Sequence, residues 1–326
     1  MAASLHSRVP EAEAGQRLLD WLVRRFAYLD RARWRTALAA GAVQRNGRPA
    51  TPDELVAAGD VIAFTPRADA SAEPDVPVLH ADDELVVVDK PAGLVVQHAS
   101  AAPTRTFLAR LAARFPPMGG ATRLQPIHRL DRDTSGVLLI GRTPAAIRAW
   151  SEDFAAGSVT KEYLAVVRGS PAAERFAMAA AIGPAPDSAV RSRRAALPAG
   201  AKGAQTARTD AEVIARWPGH ALLRLWPRTG RTHQLRVHLA DAGWPIVHDP
   251  LYGRSDDEYL QWMAGRKAAD PEGHNPAAER HLLHACRVVT QTGEARPVHV
   301  WQAPLPVDVA NFIRVSGGPE VADLPL

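Results

Sequence analysis

The chain has 326 residues, 46% of them hydrophobic, with 39 Lys plus Arg against 35 Asp plus Glu and a single cysteine. That length and apolar content suit one large packed domain with a small one beside it, and no apolar run reaches the roughly 20 residues of a bilayer-spanning helix. The lone Cys286 excludes an intrachain disulfide or a thiolate metal cluster, the slight basic excess permits a polyanionic partner without demanding one, and the N-terminal stretch lacks the apolar core of a signal peptide, so a cytoplasmic protein with no membrane contact is expected.

The first segment reads as helix, helix, hairpin. Leu18, Leu19, Leu22 and Phe26 share one helical face, and Asp30 is placed to cap a second helix that carries Trp34 and Leu38 and stops at Gly41. Asn46-Gly47 is the dipeptide that best tolerates the positive φ angles of a tight hairpin turn, and Gly59 to Phe64 reads as the closing strand. Arginines at 24, 25, 31, 33, 35, 45 and 48 can present a basic face to phosphates or form a solvated helix surface. The Pro, Ala and acid rich stretch that follows lacks periodicity, as a linker does. The expected organisation is a small domain over 1–66, a linker over 67–77, a large domain over 78–315 and a tail over 316–326.

In the large domain, Val78 to His80, Glu84 to Asp89 and Gly93 to Gln97 read as short strands, with helices over Thr106 to Phe115 and Pro144 to Phe154. Tyr163 to Arg168, Ala211 to Arg216 and Ala221 to Trp226 read as later strands. Strands and helices do not alternate strictly, which predicts an α+β fold with a mixed, mostly antiparallel central sheet flanked by helices. Residues 171–208 and 254–280, rich in Ala, Pro, Gly and charge, read as surface excursions.

Two polar knots interrupt this pattern. His128-Arg129-Leu130-Asp131-Arg132-Asp133-Thr134-Ser135-Gly136 lies between an apolar stretch and the run Val137 to Ile140, where buried charges need partners, so the knot reads as a site on a rigid scaffold. The second, Arg228 to Leu239, turns at Gly230 into an expected helix, and a guanidinium near the start of that element can reach a carboxylate elsewhere and hold it ionised. Histidines at 128, 233, 238, 281 and 284 are possible metal ligands, but five-residue spacing does not stack imidazoles on one helical turn, and no HExxH or paired cysteines occur. Neither metal nor cofactor is expected.

HRLDRDTSG resembles the HRLDxxTSG motif of the RluA-type RNA pseudouridine synthases. Lys161 to Gly169 is similar to that family's K-x-Y-x-A-x-V-x-G strand, Gly230 to His238 to its GRTHQIRVH block, and Pro245 to Gly253 to its PIxGDxxYG segment. His281 to Ala285 and Ala303 to Pro306 are similar to its C-terminal elements, so the resemblance runs over about residues 79 to 306 in the expected order. The first segment resembles the small RNA-binding domain named after ribosomal protein S-four.

The resemblance implies an isomerase acting without a cofactor on structured RNA, with large-subunit ribosomal RNA as target and transfer RNA as the alternative; a monomer is the default expectation, since nothing in the sequence sets the oligomeric state. It implies Asp131 as nucleophile, attacking either the anomeric carbon or ring carbon 6. Tyr163, which by itself reads as a core aromatic, becomes the residue stacked on the base, with its hydroxyl a candidate to take the carbon 5 proton. Arg231 becomes the partner of the aspartate, Leu235 the apolar residue beneath the uracil, and Arg129 the residue filling the space that the flipped base leaves. His128 and Thr134 are expected to bind substrate, and Asp133, at a variable motif position, to be a local cap or ion-pair partner. The chain departs from the family pattern at Asp89, where Asn is common, and at His248, where Gly is usual. A non-catalytic RNA-binding protein and a metal-dependent hydrolase are the readings from other classes.

Overall fold

The computed structural model describes residues 5–25, 31–64, 76–96, 107–269, 280–290 and 298–326. Phe26, Asp30, Gln97 and Thr106, each used above to place an element, lie outside the described residues, as does most of the expected linker. The chain divides into two compact units, one formed by Met1–Glu73, Gln97–Arg114 and Ala269–His274, the other by Pro74–Val96, Phe115–Ala268 and Asn275–Leu326.

The first unit contains β1 (Leu5–Arg8), α1 (Leu18–Arg25), α2 (Arg31–Ala39), β2 (Val43–Arg45), β3 (Arg48–Pro49), β4 (Val61–Phe64) and the separate α3 (Phe107–Arg114). The four strands form one sheet in the order β1-β4-β2-β3. Asn46 and Gly47, at φ 49° and 80°, make the β2-β3 turn as their types predict. Trp21, Leu22, Trp34, Leu38, Val43 and Phe64 fill a core of this unit's own. Arg25, Arg31 and Arg45, three of the seven arginines of the cluster, pair with Glu13, Asp20 and Asp60 respectively within the unit.

In the second unit the chain runs through β5 (Val78–Ala81), β6 (Leu85–Lys90), β7 (Gln125–Pro126), β8 (Ser135–Gly141), α4 (Pro144–Ala156), β9 (Val159–Arg168), β10 (Arg175–Met178), β11 (Ala181–Pro184) and β12 (Arg194–Leu197). It continues through β13 (Thr209–Trp217), β14 (His220–Pro227), α5 (Gln234–Asp241), α6 (Asp256–Ala269), β15 (Leu283–Thr290), β16 (Val300–Gln302) and α7 (Val307–Val315). A ten-stranded sheet follows the order β10-β13-β14-β9-β15-β8-β6-β5, with β16 paired to β15 and β7 to β8. Its pairings are antiparallel except β15 with β8, which is the mixed, mostly antiparallel α+β sheet expected.

Three segments depart from the sequence expectation. Residues 93–96 are a turn and irregular chain, not a strand. Residues 171–208 carry three strands, of which β11 and β12 form a separate two-stranded sheet. Residues 256–269 form a helix entered through a capping box, Ser255 Oγ accepting from Glu258 N while Glu258 Oε2 accepts from Ser255 N at 2.7 Å.

The parallel contact between β8 and β15 fixes the floor of the first polar knot. Gly136, at φ 117°, pairs with Ala285, and a Cβ there would lie 2.1 Å from the Ala285 carbonyl oxygen. Only glycine lets the two backbones approach this closely. β8 is buried along its whole length, so the knot is mounted on a rigid central strand.

Candidate active site

Asp131 sits in the turn before β8, closed by Thr134 N–H donating to the Asp131 carbonyl at 3.1 Å. Buried groups from other segments hold this turn. Lys90, with no exposed surface, donates from Nζ to the carbonyls of Pro91, Leu94 and Arg132 at 2.8, 3.1 and 2.9 Å, and burial pulls its pKa down to about 7. Arg280 donates to the Asp133 carbonyl at 3.2 Å and is itself anchored by both carboxylate oxygens of Asp308. His281 meets Thr134 Oγ1 at 2.8 Å, and His284 meets Ser135 Oγ at 2.9 Å. A backbone turn is thereby fixed to within hydrogen-bond tolerances, which is what a reacting carboxylate requires.

The partner of Asp131 is Arg236, not Arg231. Arg236 donates from Nη1 to Asp131 Oδ2 at 3.1 Å, and its Nε and Nη2 form a fork on Asp249 at 2.7 and 2.8 Å. Asp249 also accepts the backbone N–H groups of Leu251 and Tyr252, and the Arg236 guanidinium lies 4.9 Å from the Tyr252 ring centroid. Arg231 instead turns its Nε to the Thr206 carbonyl at 3.0 Å. The reason is position: residue 231 precedes the turn into α5, whereas Arg236 lies in a helix buried from Gln234 to Leu239. A charge between Leu235 and Val237 on such a helix must find a buried counter-charge, and that was the signal in the sequence.

The electrostatics follow from this arrangement. Burial alone raises the Asp131 pKa, but the interactions with His233, with the Arg236 guanidinium and with His281 reverse the sign and leave it below the ordinary carboxylate value. Burial holds His233 neutral, with a pKa of about 4, and His281 likewise at about 3, so Arg236 is the standing charge at neutral pH. Asp249, where the same burial is overcome by the fork, is driven down to about 2. Asp131 is therefore an ionised carboxylate with its side chain still 22% exposed.

Tyr163 lies on β9 opposite Leu225 of β14, beside the irregularity in β15 between His284 and Arg287. Burial, then the charge of Asp131, then Cys286 push its phenol above the ordinary range, so it stays protonated. Leu235 is buried in the first turn of α5, next to Arg236, and Arg129 is exposed next to Leu130.

Two expected binding residues have partners within the protein. His128 stacks on Phe154 at 4.7 Å between centroids, and its Nε2 accepts from Leu139 N at 3.2 Å; burial and the nearby charge of Lys161 keep it neutral, at about 3. Thr134 is committed to His281 and is 2% exposed. Asp133 forms an ion pair with Arg132 at 2.8 Å, the local role expected of it. His248 takes a positive φ of 60° and meets Phe312 edge-on at 5.3 Å, so a ring packs where glycine would have given only backbone freedom. Among the described residues no three His, Cys, Asp or Glu side chains gather as metal ligands.

Residues 84–241 match the family described as RNA pseudouridylate synthase. Ribosomal large subunit pseudouridine synthase D of Xanthomonas campestris is 34% identical over 252 residues, covering 75% of this chain and 73% of that protein. The protein of the same name from Escherichia coli O6:H1 is 31% identical over 330 residues, covering 95% of this chain and 94% of its own. Of solved structures, human RNA Pseudouridylate Synthase Domain Containing 4 superposes with a TM-score of 0.55 at 25% identity, over 73% of this chain and 92% of that one. Identity at this level over nearly the whole length, joined to a shared fold, makes this chain a member of the RluA-type RNA pseudouridine synthases, which are isomerases.

Proposed function

We propose that this enzyme converts uridine to pseudouridine in large-subunit ribosomal RNA, the substrate named for the relatives above, with Asp131 as nucleophile. The observation that carries the reading is the fixed triad Asp131-Arg236-Asp249. One guanidinium, immobilised by a buried carboxylate, keeps a second, accessible carboxylate ionised.

The isomerisation breaks the bond from ribose C1′ to N1, leaving the electron pair on the uracil. The base turns in place, C5 bonds to C1′, the C5 proton passes to solvent water, and N1 takes a proton from solvent. No electrons are gained or lost overall. Asp131 meets the electron-poor centre, either C1′ or ring carbon 6, as an ionised nucleophile. Tyr163 supplies the face of the freed base with an aromatic ring, and Leu235 bounds it from α5. With its phenol held protonated, Tyr163 acts in the carbon 5 step as a hydrogen-bonding group, since a phenolate is disfavoured at this site.

The target nucleotide must leave its stack, because the reacting atoms are closed off within a helix. Arg129, exposed in the same knot, is the residue we assign to the vacated space. The small N-terminal unit contributes RNA affinity through its arginines. Incubation with uridine-labelled ribosomal RNA, followed by digestion to nucleosides, tests the whole reading. Pseudouridine should appear with wild-type protein, whereas an intact transcript bound but unchanged would reduce the chain to a binding protein.

A further inference from the structure

His233, the residue that opens α5, adopts a left-handed backbone conformation at φ 58° and ψ 19°. A non-glycine residue held in that region beside a reactive carboxylate invites the question of what its ring does. Its Nδ1 lies 2.8 Å from the Tyr252 hydroxyl, and that hydroxyl accepts the Arg194 backbone N–H at 3.1 Å. Tyr252 is 6% exposed, with its phenol pushed up to about 12 by burial, so it keeps its proton. The acceptor this structure offers that proton is His233 Nδ1. A neutral imidazole that accepts at Nδ1 carries its hydrogen on Nε2.

Nε2 lies 3.9 Å from Asp131 Oδ2, the same oxygen that receives Arg236 Nη1. Among the described residues no hydrogen bond reaches Oδ1. We infer that His233 is a positioning residue for the nucleophile: its Nε2–H, oriented by Tyr252, joins Arg236 on Oδ2 and thereby presents Oδ1 to the substrate. The separation of 3.9 Å in the free protein is an open contact that closes by about 1 Å on binding, as catalytic hydrogen bonds commonly do. The charged groups facing His233 are Asp131, Arg236 and Asp249, with Arg194 from β12. Burial outweighs the two carboxylates, so the ring remains a neutral donor at working pH.

The inference rests on Asp131 being the nucleophile, and the test separates the two. His233→Ala, His233→Gln, His233→Gly, Tyr252→Phe and Asp131→Asn would be compared in single-turnover pseudouridine formation across pH, with RNA affinity and thermal unfolding measured alongside. His233→Ala and Tyr252→Phe should lower the rate constant by about 100-fold, the scale of a misplaced reacting group, with RNA affinity unchanged. The acid limb of the rate profile should move upward in His233→Ala, because Asp131 loses a donor. His233→Gln, which returns an N–H near the Nε2 position, should recover most of the rate. His233→Gly relieves the left-handed backbone but has no donor, so it should remain slow; recovery in this variant would mean that the residue matters only for the start of the helix. Wild-type rates and an unmoved acid limb in His233→Ala, with Asp131→Asn inactive, would overturn the inference alone. Activity in Asp131→Asn would overturn the nucleophile assignment itself.

Discussion

Replacing Arg236 with lysine keeps a positive charge but removes the fork, and comparison with Arg231→Lys separates the roles of these two arginines of the second knot. Arg236 makes contacts of 2.7 and 2.8 Å to Asp249 and 3.1 Å to Asp131. A single ammonium cannot span both carboxylates in that geometry. Hydrogen bonds to charged groups contribute about 1.5–3 kcal/mol each, and breaking a buried pair costs about 3–5 kcal/mol. Arg236→Lys should therefore lose about 3–5 kcal/mol of stability, a large part of the 5–15 kcal/mol typical of a folded protein. With its fixed counter-charge displaced, Asp131 should titrate higher, and the rate at neutral pH should fall by about 100-fold. Arg231→Lys gives up one half-exposed contact to the Thr206 carbonyl and should stay within about 0.5 kcal/mol of wild type. Urea unfolding gives the stabilities, and release of a label from carbon 5 of uridine in RNA gives the rates. Equal losses in the two variants, or a fully active Arg236→Lys enzyme, would refute the reasoning.

Gly136→Ala should abolish soluble, cooperatively folding protein, because its Cβ would sit 2.1 Å from the Ala285 carbonyl; a thermal midpoint near wild type would contradict the close approach of β8 and β15. Acid should destabilise the protein well above the carboxylate range. His281 and His284 are held neutral by burial, with pKa values of about 3 and about 4, while the same histidines in the unfolded chain take up protons below their ordinary value of 6.5. Stability present above pH 6.5 should then fall towards pH 4, by up to about 1.4 kcal/mol per pH unit for each histidine. A urea midpoint unchanged between roughly pH 7 and pH 5 would contradict that sign. Asp133→Asn should lose its ion pair with Arg132 yet retain catalysis within about tenfold, since the Asp133 carbonyl held by Arg280 is unaffected. Removing residues 1–70 should weaken RNA binding and flatten its salt dependence, and unchanged binding would make the small unit a structural appendage.

The knot at 128–136 was legible because charge between two apolar runs has few structural uses, and the following strand is buried over its whole length. The reason for its Ser-Gly ending was not legible, because it depends on Ala285, some 150 residues later, approaching Gly136 as a parallel neighbour. That Arg236 meets Asp131, where the resemblance implies Arg231, depends on where α5 begins, a boundary that the preceding Gly230 turn leaves open by several residues. His128 and Thr134 looked like substrate contacts because they flank Asp131 in sequence. In the free protein their partners Phe154, Leu139 and His281 come from other elements, which position in the sequence does not reveal. The helix at 256–269 has a weak apolar pattern inside a stretch rich in Ala, Gly and charge, and its one local sequence signal is the capping box spelled by Ser255-Asp256-Asp257-Glu258.

The central claim, that Asp131 carries the chemistry while Arg236 and Asp249 hold it ionised, is tested most directly by Asp131→Asn. The substitution keeps the shape of the side chain and removes its charge. Purified variant and wild-type protein would be incubated with the same ribosomal RNA and the products digested to nucleosides. Undiminished RNA binding with no pseudouridine from the variant is the predicted result, and pseudouridine formed at the wild-type rate would contradict the account.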